Sequence, residues 1–297
     1  MINKSIPIHL FFLVLLVLLE CAGVGYLGIW REGFWQAVEQ KQATVFIYKL
    51  AEFTGIALML CIISGYSTYL INKTSMLMRT QLTIKSLSCD YQTIEGGTQR
   101  VQEDCFNYPW YGLTLLVGLL RSCLNLGIFA VIIVIQLNVI YLVIPVIYTL
   151  IGTGIAYVLA KPLIKLNYLH QCVEAKFRQI LYAIKPITHY PPMSHKRIKG
   201  GYGECYTNYM KLAVTTKKLQ YFQSFYNQIT VVVPYIIIAP LYFSSQILFG
   251  TFMQIASAVS HMIDSMSYII NSYDIMNNWL SCRRRLQELG VLHVKNK

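Results

Sequence analysis

Seven polar residues recur through an apolar stretch near the C-terminus at helical spacing: Gln254, Ser257, His261, Asp264, Tyr268, Asn271 and, after a gap at Ile275, Asn278. Steps of three and four predict that they share one face of a helix, leaving that helix a single polar stripe. In a membrane span such a stripe faces protein or water, because hydrocarbon leaves polar groups unsatisfied. His261 and Asp264 lie one turn apart, and an imidazole beside a carboxylate is able to exchange a proton near neutral pH. A hydrogen-bonded packing pair is the plainer reading of the same two residues. Three further charges interrupt apolar runs: Glu20, Glu52 three residues after Lys49, and Arg121. Each costs ~2.5–3.5 kcal/mol to insert at the centre of a span, so each needs a cavity or a partner. Arg121 paired with Glu20 or with Glu52 is the structural reading, beside a functional one. Thr114, Gly118, Arg121, Ser122 and Asn125 share a helix face, as the wall of a watered cavity would.

The one dense mixed-charge stretch is Thr93-Ile94-Glu95-Gly96-Gly97-Thr98-Gln99-Arg100-Val101-Gln102-Glu103-Asp104. Three acids, an arginine and two glutamines do not belong in hydrocarbon, and Gly96-Gly97 is a poor helix interior, so a turn and a short helix in water are expected. The stretch resembles the signature of the SbmA/BacA family of bacterial peptide-antibiotic transporters, carried here by Glu95, Gly96, Gln99, Arg100, Gln102, Glu103 and Asp104. A weaker relative of it occurs in peroxisomal-type ABC transporters. Two further stretches agree in order and spacing: Leu150 to Gly154 leading to Gln171-Cys172-Val173-Glu174-Ala175-Lys176-Phe177-Arg178, and Tyr268 to Tyr273 leading to Arg284-Arg285-Leu286.

The resemblance implies a homodimer around one central cavity, peptide import across the inner membrane driven by the proton gradient, and cavity-facing acids as proton carriers. Glu174 matches a family acid and is the first candidate, with Glu20, Glu52, Asp264 and His261 behind it. Arg178 sits four residues on, so a surface ion pair is the plainer reading of Glu174. Arg121, Asn125, Gln254, Ser257, Tyr268 and Asn271 are the candidate cavity-lining residues. The chain departs from the family pattern at Leu113, where an acid is expected, and around Lys185, where another is missing. Either Glu20, Glu52 or Asp264 takes over the role, or the activity has changed.

Composition fits a membrane protein. Of 297 residues, 55% are hydrophobic and 13% charged, and mean hydropathy is +0.48, so a soluble core is not expected. The formal net charge of +12 gathers beside the apolar runs, as the positive-inside rule and anionic lipids demand, rather than in a nucleic-acid footprint. Eight cysteines are scattered without a CxxC pair and read as small buried hydrophobes. His170, Cys172 and Glu174 formally offer a metal cluster, but a structural role is the plainer reading, and neither metal nor cofactor is expected. Gly23-Val24-Gly25-Tyr26-Leu27-Gly28 matches the dinucleotide G-x-G-x-x-G, yet no strand precedes it, so these glycines predict close helix packing. No HExxH, GxSxG or Walker A motif occurs, which argues against an enzyme and against an ATPase domain within these residues. A scaffold has no need of a polar stripe.

The elements that must hold these groups are all helical. Six spans are expected, about 6–30, 45–71, 109–136, 138–160, 229–249 and 251–273, with cytosolic arms about 72–108 and 161–228. A short amphipathic loop is expected from Arg31 to Thr44, and a tip spanning Pro186 to Gly203. The basic second arm fixes both termini in the bacterial cytoplasm. Six spans with two long inner excursions are the layout of an ABC-exporter transmembrane domain, so a transmembrane half served by a separate ATPase is the alternative to a proton-driven importer.

Overall fold

The computed structural model describes residues 5–89, 97–183 and 192–292, and among them every regular element is a helix. The apolar run at the N-terminus forms α1, Ser5–Glu39, with Pro7 in its first turn, where a missing N–H costs nothing. A tight turn with Lys41 at φ 55° leads into α2, Ala43–Leu87. After the helical turn α3, Gly97–Gln99, a π-helical turn, Arg100–Asp104, runs into α4, Cys105–Gln136. Then come α5, Val143–Ala183, and α6, Pro192–Phe243. The C-terminal part is α7, Phe249–Met266, the single turn α8, Tyr268–Asn271, and α9, Tyr273–Glu288.

Five helices are long and apolar enough to cross a bilayer: Ser5–Glu39, Ala43–Leu87, Arg100–Gln136, Val139–Tyr182 and Ile198–Phe243. Each has 35 to 46 residues, whereas crossing needs only ~20, so each has length to spare beyond the hydrocarbon.

Three stretches differ from expectation. The loop expected from Arg31 is helix as far as Glu39, because this last part of α1 has a surface to pack on. Trp35 meets Phe249 at 5.8 Å, and a Cβ at Gly250 would stand 2.5 Å from the Glu32 carbonyl. Gly200 to Gly203 do not turn the chain but lie inside α6. Gly201 admits α5, since a Cβ there would stand 2.9 Å from Ile180 and 3.0 Å from Phe177, and this packing offsets the poor helix propensity of glycine. The remaining tip, residues 184–191, lies outside the described residues. The segment 251–273, expected as one helix, is broken at Ser267 and Ser272. Their N–H groups still close the preceding helical turns on Ile263 O and Tyr268 O, so the chain interrupts the helix without leaving those carbonyls unpaired.

The chain divides into two units, residues 1–146 with 233–297, and residues 147–232. In the first, Leu13, Val17, Cys21, Leu70 and Val117 make a core joining α1, α2 and α4. Two glycines of the false dinucleotide motif sit at the α1–α4 contact, where Cβ atoms at Gly25 and Gly28 would meet Ile128 at 2.7 Å and Phe129 at 3.0 Å, while Gly23 faces Leu60 of α2 at 2.8 Å. Helix α7 is buried nearly all round, through Ile255, Ala256, Val259, Met262 and Ile263, against α1 and α4. In the second unit α5 and α6 pair through Tyr148 stacked on Tyr226 at 4.9 Å, with the Tyr148 hydroxyl 3.0 Å from Thr230 Oγ1.

Candidate functional site

Polar groups gather at three levels of the first unit. At the C-terminal end of α1, Glu32 is a hub. Its Oε1 accepts from Thr251 Oγ1 at 2.8 Å and Gln36 Nε2 at 3.3 Å, and its Oε2 accepts from Gln136 Nε2 at 3.2 Å. Gln136 also donates to Gln254 Oε1 at 3.0 Å. These ties fasten α1, α4 and α7 together, and Gln254 is 2% exposed, so it belongs to this network and not to an open cavity wall. Beside the hub, Arg31 donates to Ser257 Oγ at the floor of a cleft of about 460 Å³. Trp30, Phe34, Phe53, Tyr235 and His261 are among its walls. His261 stacks on Phe129 at 4.5 Å and makes no hydrogen bond to Asp264, which is exposed. Glu52 accepts from Lys49 at 2.9 Å and from the Tyr26 hydroxyl.

One level down, Arg121 Nη2 meets Glu20 Oε2 at 2.7 Å. Of the two partners the sequence offered Arg121 it takes Glu20, while Glu52 is held by Lys49 and Tyr26. Arg121 Nε and Asn125 Oδ1, one turn apart, are buried without a protein partner, which marks polar room inside an apolar bundle. Tyr268 reaches α4 and donates to Leu115 O at 3.2 Å, its ring lying over Gly118; Asn271 is exposed.

The third level is the joint made by the central motif. Glu95 and Gly96 lie outside the described residues, as does the side chain of Gln99. Asp104 is buried and takes a bidentate bond from Arg285, Nε to Oδ2 at 2.8 Å and Nη2 to Oδ1 at 2.7 Å. Arg100 pairs with Glu288 at 2.6 Å. The Gln102 carbonyl accepts from Arg79 Nη2 at 3.4 Å, while the side chains of Gln102 and Glu103 are exposed. Under these pairs Cys105, Leu286, Leu289 and Val291 form a small core with Leu82 and Tyr108, and Tyr108 stacks on Trp279 at 5.7 Å. The Asp104 carboxylate holds the Arg285 guanidinium above its usual range. Burial, with the Asp104 charge second, pushes the Cys282 thiol up to about 11. The motif is thus a clasp that ties α9 to the ends of α2 and α4.

Glu174 is exposed on α5 in the second unit. Among the described residues no three His, Cys, Asp or Glu side chains are placed to hold a metal ion. Sequence reasoning gave no site role to Arg31, Glu32, Gln136 or Arg285. Three of these are the first or last polar residues at an end of an apolar run, a signal available in the sequence; the pairing of Arg285 with a residue 181 positions away carries no local signal.

A sequence model of the SbmA/BacA-like family matches residues 30–292. The chain belongs to the SbmA/BacA-like family. It is also 25% identical over 209 residues to ABC transporter D family member 2, chloroplastic, of Arabidopsis thaliana, an alignment covering 68% of this chain and 30% of that protein. An uncharacterised ABC transporter ATP-binding protein of Synechocystis is 27% identical over 67% of this chain and 31% of its own length. The inner membrane ABC transporter ATP-binding protein YddA of Escherichia coli is 22% identical over 98% of this chain and 58% of its own length. The chain therefore spans about a third to just over half of the length of these relatives. SbmA/BacA-like membership and the five apolar helices make it a multi-pass membrane protein of transporter type.

Proposed function

We propose that this chain is a secondary transporter of the inner membrane that imports peptides or peptide-like antibiotics, driven by the proton gradient. It works as a homodimer of six-span, ABC-exporter-like protomers with both termini in the cytoplasm. The observation that carries this reading is the column of ionisable and polar groups inside the first unit, from Glu32 through Glu20–Arg121 to Asn125, in helices otherwise built for lipid. Coupling requires a carboxylate whose two protonation states favour different conformations, and in this reading Glu20, paired with Arg121 at 2.7 Å, takes that role: protonation cancels its attraction for Arg121 and loosens α1 from α4. Support for a second copy comes from α2, whose apolar window has no buried residue within one chain and which exposes Leu58, Ile62, Tyr66 and Tyr69. In this reading α7 with α8 supplies the sixth crossing, its polar face sheltered by α1 and α4.

The alternative, a transmembrane half powered by a separate ATPase, is favoured by the names of the three relatives, each an ABC transporter. Uptake of a labelled proline-rich cationic peptide into cells lacking their own importer separates the two. A proton-driven importer loses uptake when a protonophore is added and keeps it when ATP is depleted under an imposed pH gradient. An ATPase-dependent half does the reverse.

A further inference from the structure

The cleft beside Arg31 has no part in the transport proposed above. Its volume of about 460 Å³ lies in the range of ligand pockets, ~300–1,000 Å³. Its composition suits an amphipathic anion: Trp30, Phe34 and Phe53 make an aromatic wall, and Arg31 is the cation among the polar groups, which also include Tyr235, Ser257 and His261. Arg31 is the only permanently charged side chain of the lining. Among the described residues it hydrogen-bonds the neutral Ser257 hydroxyl and no carboxylate lies within ion-pair distance of it. Its sequence neighbour Glu32 is turned to Thr251 and Gln136. A guanidinium left without an anion next to apolar surface is costly unless a ligand supplies the charge.

Depth and exposure identify that ligand. The apolar run 6–30 spans about 37 Å as a helix, enough to cross the ~30 Å hydrocarbon core with a few ångströms over, so Arg31, the first charge after it, stands at the level of the headgroups, where Trp30 and Trp35 belong to the aromatic belt usual at that depth. The rim is open to lipid: Leu50 and Phe53 are 46% and 39% exposed.

We propose that this cleft seats the phosphodiester headgroup of a membrane phospholipid, with Arg31 on the phosphate and the acyl chains running down the α2 face past Leu50 and Phe53. The site rests on the membrane placement of α1 and is independent of what is transported. Phosphate and guanidinium match as a charge-assisted, two-point contact.

Native mass spectrometry of the purified full chain in detergent tests it, with dioleoylphosphatidylglycerol titrated in. Dioleoylglycerol, which has the same chains without phosphate, and inorganic phosphate, which has no chains, are the controls. One phosphatidylglycerol per protomer is expected to be retained, dioleoylglycerol and inorganic phosphate are not, and Arg31→Gln weakens retention by about tenfold or more, the worth of one charge-assisted bond. Arg31→Lys keeps part of the affinity, and Lys49→Gln, whose ammonium is already spent on Glu52, changes nothing. Equal retention of dioleoylglycerol, or full retention by Arg31→Gln, overturns the proposal. Should Arg31→Gln fail to fold, the comparison of the two lipids on the unaltered chain decides alone. Displacement of the lipid by a short apolar peptide as free acid, but not as C-terminal amide, would assign the cleft to cargo and also overturn it.

Discussion

Replacing Asp104 should open the clasp that the central motif makes with α9. The carboxyl side chain of Asp104 is 4% exposed and that of Arg285 34% exposed. Breaking a fully buried ion pair from one side costs ~3–5 kcal/mol, because the partner charge is stranded. Arg285 retains a third of its surface in solvent and is rehydrated in part, so Asp104→Ala is expected to cost about 2–3 kcal/mol. Arg285→Lys keeps the charge but loses the two-point fork and should cost about 1 kcal/mol. Glu288→Gln removes a carboxylate that is 61% exposed and should cost under about 1 kcal/mol. The assay is thermal unfolding of the purified chain in detergent, followed by tryptophan emission, with Trp279 reporting directly through its stack on Tyr108. The double variant Asp104→Ala with Arg285→Ala should be less destabilised than the two single losses summed, since no charge is left stranded. Should Glu288→Gln prove as damaging as Asp104→Ala, or should the two single losses simply add, the clasp is not held by this pair and the reasoning fails.

Three other outcomes follow from the same geometry. Gly118→Ala puts a methyl group into the Tyr268 ring and should cost about 1–3 kcal/mol by overpacking, with Tyr268→Ala restoring much of the loss in the same melting assay. Cys282, raised from about 9 to about 11, stays a neutral thiol below that value, so maleimide should leave it unlabelled at pH 8 until Asp104→Ala opens the joint. Because its folded value is the raised one, the stability it contributes is intact below pH ~9 and is lost as pH rises through ~11, a decline that Cys282→Ala should lessen. Glu20→Leu and Arg121→Leu should each lower the yield of correctly inserted protein, at ~2.5–3.5 kcal/mol for the stranded charge, and the double variant should recover it. Uptake by the recovered double variant would make the pair a packing device and remove Glu20 from proton coupling.

Much of the helical framework was legible because membrane helices announce themselves by long apolar runs. The expected stretches 6–30, 45–71 and 109–136 lie inside the long helices Ser5–Glu39, Ala43–Leu87 and Arg100–Gln136, whereas 138–160 starts just before, and 229–249 runs past, the helix that holds most of it; Gly25 and Gly28 announced a close helix contact without naming α4 as the partner. What the sequence hid depends on tertiary contact. Arg31 and Glu32 look like the start of a water-facing loop by residue type, and only the presence of α7 beside them keeps the helix going. Gly200 to Gly203 look like a turn until Phe177 and Ile180 are seen against Gly201. The stripe from Gln254 to Asn278 assumed one unbroken helix; with breaks at Ser267 and Ser272 its members divide between a buried network at Gln254 and Ser257 and exposed positions at Asp264, Asn271 and Asn278. For Arg121 the sequence offered two carboxylates at equal merit, and only the tertiary contact of α1 with α4 picks out Glu20. The motif itself was recognised as a pattern, whereas its work as a clasp appears only with Arg285 in place.

The central claim, coupling of peptide import to protons without ATP, is tested most directly by reconstituting the purified chain alone in liposomes loaded with a pH-sensitive dye and adding a proline-rich cationic peptide outside. The account predicts that the peptide triggers proton entry under an imposed pH gradient, and that Glu20→Gln folds but abolishes this entry. Absence of proton movement in correctly folded liposome-embedded protein, with transport restored only by ATP and a separate ATPase, would contradict it.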